Sequence, residues 1–159
     1  MIQIEITPQQ LKRAKDLYSF NNLNNSITKG ENKIFGALGE VVVFDYYQSK
    51  GLDVSSNSTY DYDMLVGGFK TEVKTIKVKN YSNIAKAKVC AKNIFQKCDY
   101  YYFVQVAADM SKAWLLGYMP RGQFYREAVF KAKGDLDTDS FVFSEDCYIM
   151  SVNQLKPIK

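Results

Sequence analysis

The spacing of apolar residues changes period several times along the chain, and each change marks an element. Ile2, Ile4 and Ile6 alternate with Gln3 and Glu5 and predict a short edge strand. Thr7 before Pro8 is an N-cap followed by proline at the first helical position. Leu11, Ala14, Leu17 and Tyr18 then recur at helical spacing, so a helix follows. Asn21 to Ser26 reads as a polar loop whose asparagines suit turns, although such a loop beside a site can also touch nucleic acid. Thr28-Lys29-Gly30-Glu31 matches a capping box and opens a second helix, which ends near Lys50 with Gly51 as its cap. From Ile34 to Phe44 this helix is apolar on nearly every side, which predicts burial.

The pattern then turns mostly to strands. Leu52 to Asn57 predicts a short one, and Ser55 to Thr59 a connecting loop. Met64, Leu65 and Val66 run into Gly67-Gly68, after which Phe69 to Val78 alternates, the signature of a hairpin. In Tyr81 to Lys97, residues Ile84, Ala87, Cys90, Ala91, Ile94 and Phe95 form one apolar side, with Lys86, Lys88 and Lys92 pointing outward, so a helix is expected. Tyr100 to Ala108 is aromatic and β-branched enough for a central strand, its tyrosines serving packing rather than base stacking. Lys112 to Tyr118 makes another strand, and Pro120 to Val129 a short helix or irregular connection. Gly134 to Ser140 is an acidic turn, Phe141 to Phe143 and Tyr148 to Val152 are closing strands, and Asn153 to Lys159 is a tail. The order predicts an α/β sandwich with a central mixed sheet flanked by helices.

Composition narrows what such a domain can do. With 159 residues, 47% of them hydrophobic, the chain is the size of one domain with a real core. The formal charge of +4 permits a polyanionic partner without requiring one. No signal-peptide pattern and no membrane-length apolar run is seen, so a cytoplasmic protein is expected. Three cysteines without a Cys-x-x-Cys pair read as reduced, mostly buried thiols. The absence of histidine excludes every mechanism that needs an imidazole as base, nucleophile or ligand. No phosphate-binding Gly-x-x-x-x-Gly-Lys-Ser/Thr loop is present, so no nucleotide cofactor is expected. Carboxylates, lysine and metal remain for phosphodiester chemistry.

Those groups gather around the hairpin. On a strand Glu72 and Lys74 point the same way while Val73 faces the opposite layer, and the turn can fold Asp63 back beside them. Two close carboxylates need a positive charge between them, and hard oxygen ligands suit Mg²⁺ or Mn²⁺. Such an ion polarises a phosphodiester and lowers the pKa of bound water, while Lys74 orients that water or neutralises charge developing on phosphate. Glu40, the only charged residue between Ile34 and Phe44, needs a partner: either the metal site or a structural ion pair with Lys74 or another lysine. Gly36 and Gly39 cost helix stability, and close approach of the helix to the sheet would compensate.

Asp63, eight intervening residues, then Glu72-Val73-Lys74 resembles the active-site signature of the PD-(D/E)XK nuclease superfamily, with Tyr62 where the family usually has proline. Gly36-x-x-Gly39-Glu40 resembles the helix that precedes that hairpin, where the glutamate faces the metal. The resemblance spans about residues 30 to 118 and implies a restriction-endonuclease-like αβββαβ core. It also implies catalytic Glu40, Asp63, Glu72 and Lys74, with Asp63, Glu72 and Glu40 on Mg²⁺ or Mn²⁺. The stretch from Asn25-Ser26-Ile27 to Gly36-x-x-Gly39-Glu40 also resembles that of small phage-encoded members, for which the compartment would be the host cytoplasm.

The expected substrate is DNA. Lys86, Lys88, Lys92, Gln96, Arg121 and Arg126 are candidate contacts, with ordinary solvated surface as the other reading of each. A single domain without a recognition module gains footprint by pairing, so a homodimer on double-stranded or branched DNA is expected. The alternative is a non-catalytic nucleic-acid- or protein-binding module in which the polar residues form a structural ion-pair cluster.

Overall fold

A computed structural model of the chain describes residues 1–23, 32–57, 59–137 and 142–158. Strand β1 (Ile2–Glu5) leads into helix α1 (Pro8–Leu23) and helix α2 (Asn32–Ser49). The start of α1 is fixed by a reciprocal pair: Thr7 Oγ1 accepts from the Gln10 amide at 3.2 Å, and the Thr7 amide donates to Gln10 Oε1 at 3.0 Å. Asn21 to Leu23 belong to α1 rather than to a loop; Asn24 to Ser26 and the Thr28 to Glu31 cap lie outside the described residues. Gly51, at φ 77°, ends α2: its amide donates to Gln48 O at 3.0 Å and that of Leu52 to Tyr47 O at 3.2 Å, the paired bonds of a glycine cap.

Next come β2 (Val54–Ser56), β3 (Met64–Val66), β4 (Phe69–Val78), β5 (Lys86–Cys90), β6 (Tyr100–Ala107) and β7 (Lys112–Pro120). Helix α3 (Arg121–Glu127), β8 (Val129–Lys131) and β9 (Cys147–Ser151) complete the chain's elements. The larger sheet runs β1-β7-β6-β4-β3-β2 and is mixed, because β4 and β6 are parallel while its other neighbours are antiparallel. The smaller sheet runs β5-β9-β8. β6 is central, as its sequence predicts: Tyr102, Val104 and Val106 pack with α1 and α2, while Tyr101 and Phe103 pack with Val89, Phe124 and Met150 on the other face. The protein is thus a mixed α/β fold in which the larger sheet has α1 and α2 on one face and the small sheet with α3 on the other.

The region before β6 is not the helix expected for Tyr81 to Lys97. Lys86 to Cys90 form β5 and Ala91–Phe95 a 3-10 turn. Ala87 and Val89 are buried while Lys86, Lys88 and Cys90 are half-buried, a period of two that the helical spacing also accommodates. What decides is β9, some sixty residues away in sequence, which pairs with β5 through Lys86↔Ser151 to Cys90↔Cys147. Of the expected strand at Phe141 to Phe143, Phe141 lies outside the described residues, and among those described Val142 makes an isolated bridge to Leu136. Nor is the C-terminal segment a loose tail, since Leu155 and Ile158 are buried and Lys156 bridges Tyr118. The cysteines are free, with Cys98 and Cys147 buried and Cys90 half-buried. Among the described residues no helix is long and apolar enough to cross a membrane.

Candidate functional site

The hairpin positions the first three groups. Gly67 and Gly68 take φ values of 56° and 83°, which β-branched or bulky residues rarely tolerate, and close a two-residue turn between Val66 and Phe69. The β3–β4 ladder ends at Met64↔Thr71, while β4 continues to Val78 alongside β6. One edge of β4 is thereby freed beyond Thr71. Asp63 fills the first gap: its amide donates to Thr71 O at 3.0 Å, and its Oδ2 accepts from the Val73 amide at 2.7 Å. The Asn57 amide donates to the Asp63 backbone carbonyl at 2.8 Å, so the Asp63 backbone is tied on both sides while its carboxylate rests on the Val73 amide. Tyr62 has Lys70 Nζ 5.6 Å from its ring centroid, and its hydroxyl accepts from Asn57 Nδ2.

Strand alternation separates Val73, in the helix-side core, from Glu72 and Lys74. Glu72 is 7% exposed. Its Oε1 accepts from Lys74 Nζ at 2.6 Å and from Gln96 Nε2 at 2.9 Å, whereas its Oε2 is buried without a hydrogen-bond partner among the described residues. Lys74 Nζ also lies 3.4 Å from Gln96 Oε1 and 5.7 Å from the centroid of the Tyr101 ring. Gln96 therefore reaches the site, from the turn after β5 rather than from a helix, and its Nε2 also donates to Tyr60 O at 2.8 Å.

Glu40 arrives from the helix side. A Cβ added to Gly39 would stand 2.0 Å from Thr75 Oγ1, so only glycine lets α2 lie this close to β4. Gly36 needs another account, since an added Cβ there meets nothing within 4 Å among the described residues. Glu40 and Asp63 line a cavity of about 50 Å³ with Arg13, Phe44, Ser56 and Met64, room enough for water. Burial, then repulsion from Glu72, pushes the Glu40 carboxyl from its ordinary 4.5 up to about 7, against the pull of Lys74. The same burial, with Glu40 and Glu72 nearby, raises Asp63 well above the usual carboxylate range, although the Val73 amide and Lys74 oppose it. Three carboxylates thus share one lysine.

This donor set suits a hard divalent cation: its atoms are carboxylate oxygens, one is orphaned, and two belong to groups that resist ionising without added positive charge. In the side-chain arrangement present, however, no group of three or more His, Cys, Asp or Glu among the described residues is set to hold a metal, and Lys74 occupies Glu72.

The other candidates scatter. Lys86 pairs with Asp137, and with Lys88 it lines a separate cleft of about 320 Å³ that includes Ile76, one alternation beyond Lys74 on β4. Lys92 is exposed, 4.0 Å from Glu145. Arg121 is turned inward: its Nη2 donates to Ile94 O and its guanidinium lies 5.4 Å from the Tyr125 ring centroid, which ties α3 to the 3-10 turn. Arg126 is exposed beside Glu127 at 3.8 Å. In the acidic turn Asp135 Oδ2 accepts from the Ala132 amide at 2.9 Å, Asp137 is taken by Lys86, and Asp139 lies outside the described residues. Sequence reading missed Arg13, a cation on an amphipathic helix with nothing to single it out, and Tyr60, in a loop with no periodicity. Comparison with known proteins finds no matching family model and no matching curated protein, so the site stands on its own chemistry.

Proposed function

We propose that this protein is a nuclease that hydrolyses DNA phosphodiester bonds with a divalent metal, Mg²⁺ or Mn²⁺ in its place. The observation that carries this reading is the convergence of Asp63, Glu72 and Lys74 where β3 stops and β4 runs on, with Glu40 close enough to shift in their field. On this reading α2, β2, β3, β4 and β6 correspond to a restriction-endonuclease-like core of the PD-(D/E)XK type, in which β5 and the 3-10 turn replace the second helix.

Asp63, Glu72 and Glu40 would hold the ion. When bound, it supplies a Lewis acid for the phosphoryl oxygens and acidifies the attacking water. The Val73 amide keeps Asp63 aimed, and Gln96 keeps Glu72 aimed, so two carboxylates are oriented in advance. Lys74 holds its protons in reach of both Glu72 and Gln96, and with the ion held by the carboxylates its ammonium would orient water or balance charge on phosphate.

A second reading has a specific observation behind it. Lys74, Glu72 and Gln96 bond to one another, as a structural cluster on a non-catalytic binding module would. The assay that separates the two uses linear, circular, single-stranded and branched DNA with Mg²⁺ or Mn²⁺. Cleavage that EDTA abolishes is expected, and a folded protein inert on all four substrates with both metals would remove the nuclease reading. A homodimer acting on double-stranded or branched DNA, in the cytoplasm or in a host's cytoplasm for a phage-encoded chain, completes the proposal. Sedimentation that shows only monomer at micromolar concentration would remove the dimer and leave the site intact.

A further inference from the structure

The wall of the site beside Gln96 is built differently from the rest of the molecule. The loop carrying Tyr60 is stitched to the 3-10 turn by three bonds: Gln96 Nε2 to Tyr60 O at 2.8 Å, Tyr60 Oη to Lys92 O at 3.1 Å, and the Lys97 amide to Asp61 Oδ1 at 3.1 Å. Two large rings stand out from this join, Tyr60 at 62% and Phe95 at 77% exposure. A single exposed aromatic needs no explanation. Here, however, both residues adjoin Gln96, whose side chain touches Glu72 and Lys74: Phe95 precedes it in the chain, and the Tyr60 carbonyl accepts from its amide. The Tyr60 hydroxyl is spent on a backbone carbonyl, which fixes the ring without burying it. Lys92 and Lys97 are exposed on the same turn, so cations accompany the rings. Of the β6 tyrosines, Tyr101 and Tyr102 are closed off, at 0% and 9% exposure, and Tyr100 is half-buried.

We propose that Tyr60 and Phe95 form a stacking rim at the mouth of the Glu72–Lys74 site, which takes unpaired bases of a DNA strand and presents the adjoining phosphate to the carboxylates. This rests on the nuclease reading and sharpens it to a substrate class. Bases inside a duplex are already stacked and cannot lie on a protein ring unless extruded. The rim therefore selects single strands, flaps, frayed ends or branch points. Stacking is tolerant of sequence because every base has a π face, so the rim confers structure selectivity and little sequence preference. Lys92 and Lys97 supply phosphate contacts that any polyanion satisfies; the rings supply the part that depends on bases.

The experiment measures binding in EDTA by fluorescence anisotropy, with a labelled oligothymidine of about 12 nucleotides against an abasic strand of equal length and charge. The parent protein is expected to bind the base-bearing strand about 5- to 150-fold tighter, and Tyr60→Ala and Phe95→Ala each to erase much of that advantage. Tyr60→Phe, which keeps the ring, should retain it. Equal affinity for the two strands in the parent, a comparison that needs no variant, would overturn the rim, as would undiminished preference in both alanine variants. The nuclease reading fails separately: base-preferring binding by a parent that cleaves nothing in Mg²⁺ keeps the rim and removes the chemistry, whereas cleavage without base preference does the reverse.

Discussion

Two buried polar clusters lie along the β4–β6 pair, and they are finished to different degrees. Gln105, fully buried on β6, gives its amide to Ser82 O at 2.7 Å and accepts the Ser82 amide at 3.1 Å, so one side chain and one backbone unit satisfy each other. Glu72, on the neighbouring strand, is surrounded by Lys74 and Gln96, yet its Oε2 has no hydrogen-bond partner among the described residues. An orphaned buried carboxylate oxygen is costly, and a cluster kept for stability alone has no need of it. Closure marks the Gln105 pair as structural. The open oxygen, in a cluster whose Asp63 and Glu40 resist ionising, is what the proposed cation would satisfy.

The contrast is broken most severely by removing charge at the open cluster. Asp63→Asn keeps an oxygen for the Val73 amide and Glu72→Gln keeps one for Gln96, so both variants should fold. Each is expected to lose metal-dependent cleavage by about 10²–10³-fold or more, the scale seen when a single preorganised electrostatic group is deleted. Cleavage at the parent rate by a folded Asp63→Asn protein would sink the mechanism. At the closed cluster the expectation inverts. Gln105→Leu strands the Ser82 amide and carbonyl, which should cost about 1–3 kcal/mol in urea denaturation. Cleavage per folded molecule should be unchanged; lost activity with unchanged stability would mean the two clusters have been assigned the wrong roles.

Most of this site was legible from local pattern, because hairpin geometry is local. Gly67-Gly68 and the alternation from Phe69 to Val78 were enough to put Glu72 and Lys74 on one face and Asp63 beside β4. β5 was not legible, since Lys86 to Cys90 satisfy two periods and the choice is made by a distant strand. Nor was Tyr60, which owes its position to hydrogen bonds across the fold. The glycines of α2 were legible in kind but not individually. Gly39→Ala must push Thr75 aside and should cost about 1–3 kcal/mol while drawing Glu40 away from the sheet. Gly36→Ala meets open space among the described residues and should gain about 0.5–1 kcal/mol from helix propensity. A Gly39→Ala protein that melts at or above the parent would show that α2 is seated on β4 by some other contact.

A further effect of small size reads the open cluster without any DNA. Glu40 ionises near 4.5 in an unfolded chain and near 7 in the folded protein, so between these values the folded state holds the extra proton. Stability is then fully present below about pH 4.5 and falls as pH rises through 7, and the raised Asp63 acts in the same direction. The loss should be on the order of 1 kcal/mol once screening at a partly exposed group is allowed for. Glu40→Gln, which cannot ionise, should flatten the decline, and Glu40→Leu should melt at or above the parent at pH 8. Millimolar Mg²⁺ or Mn²⁺ should restore the parent above pH 7, because a cation replaces the proton the cluster gives up, and the apparent metal affinity should rise with pH through 7. A parent whose stability climbs through that window, with Glu40→Gln following the same curve, would show that Glu40 is already neutralised by a partner within the fold.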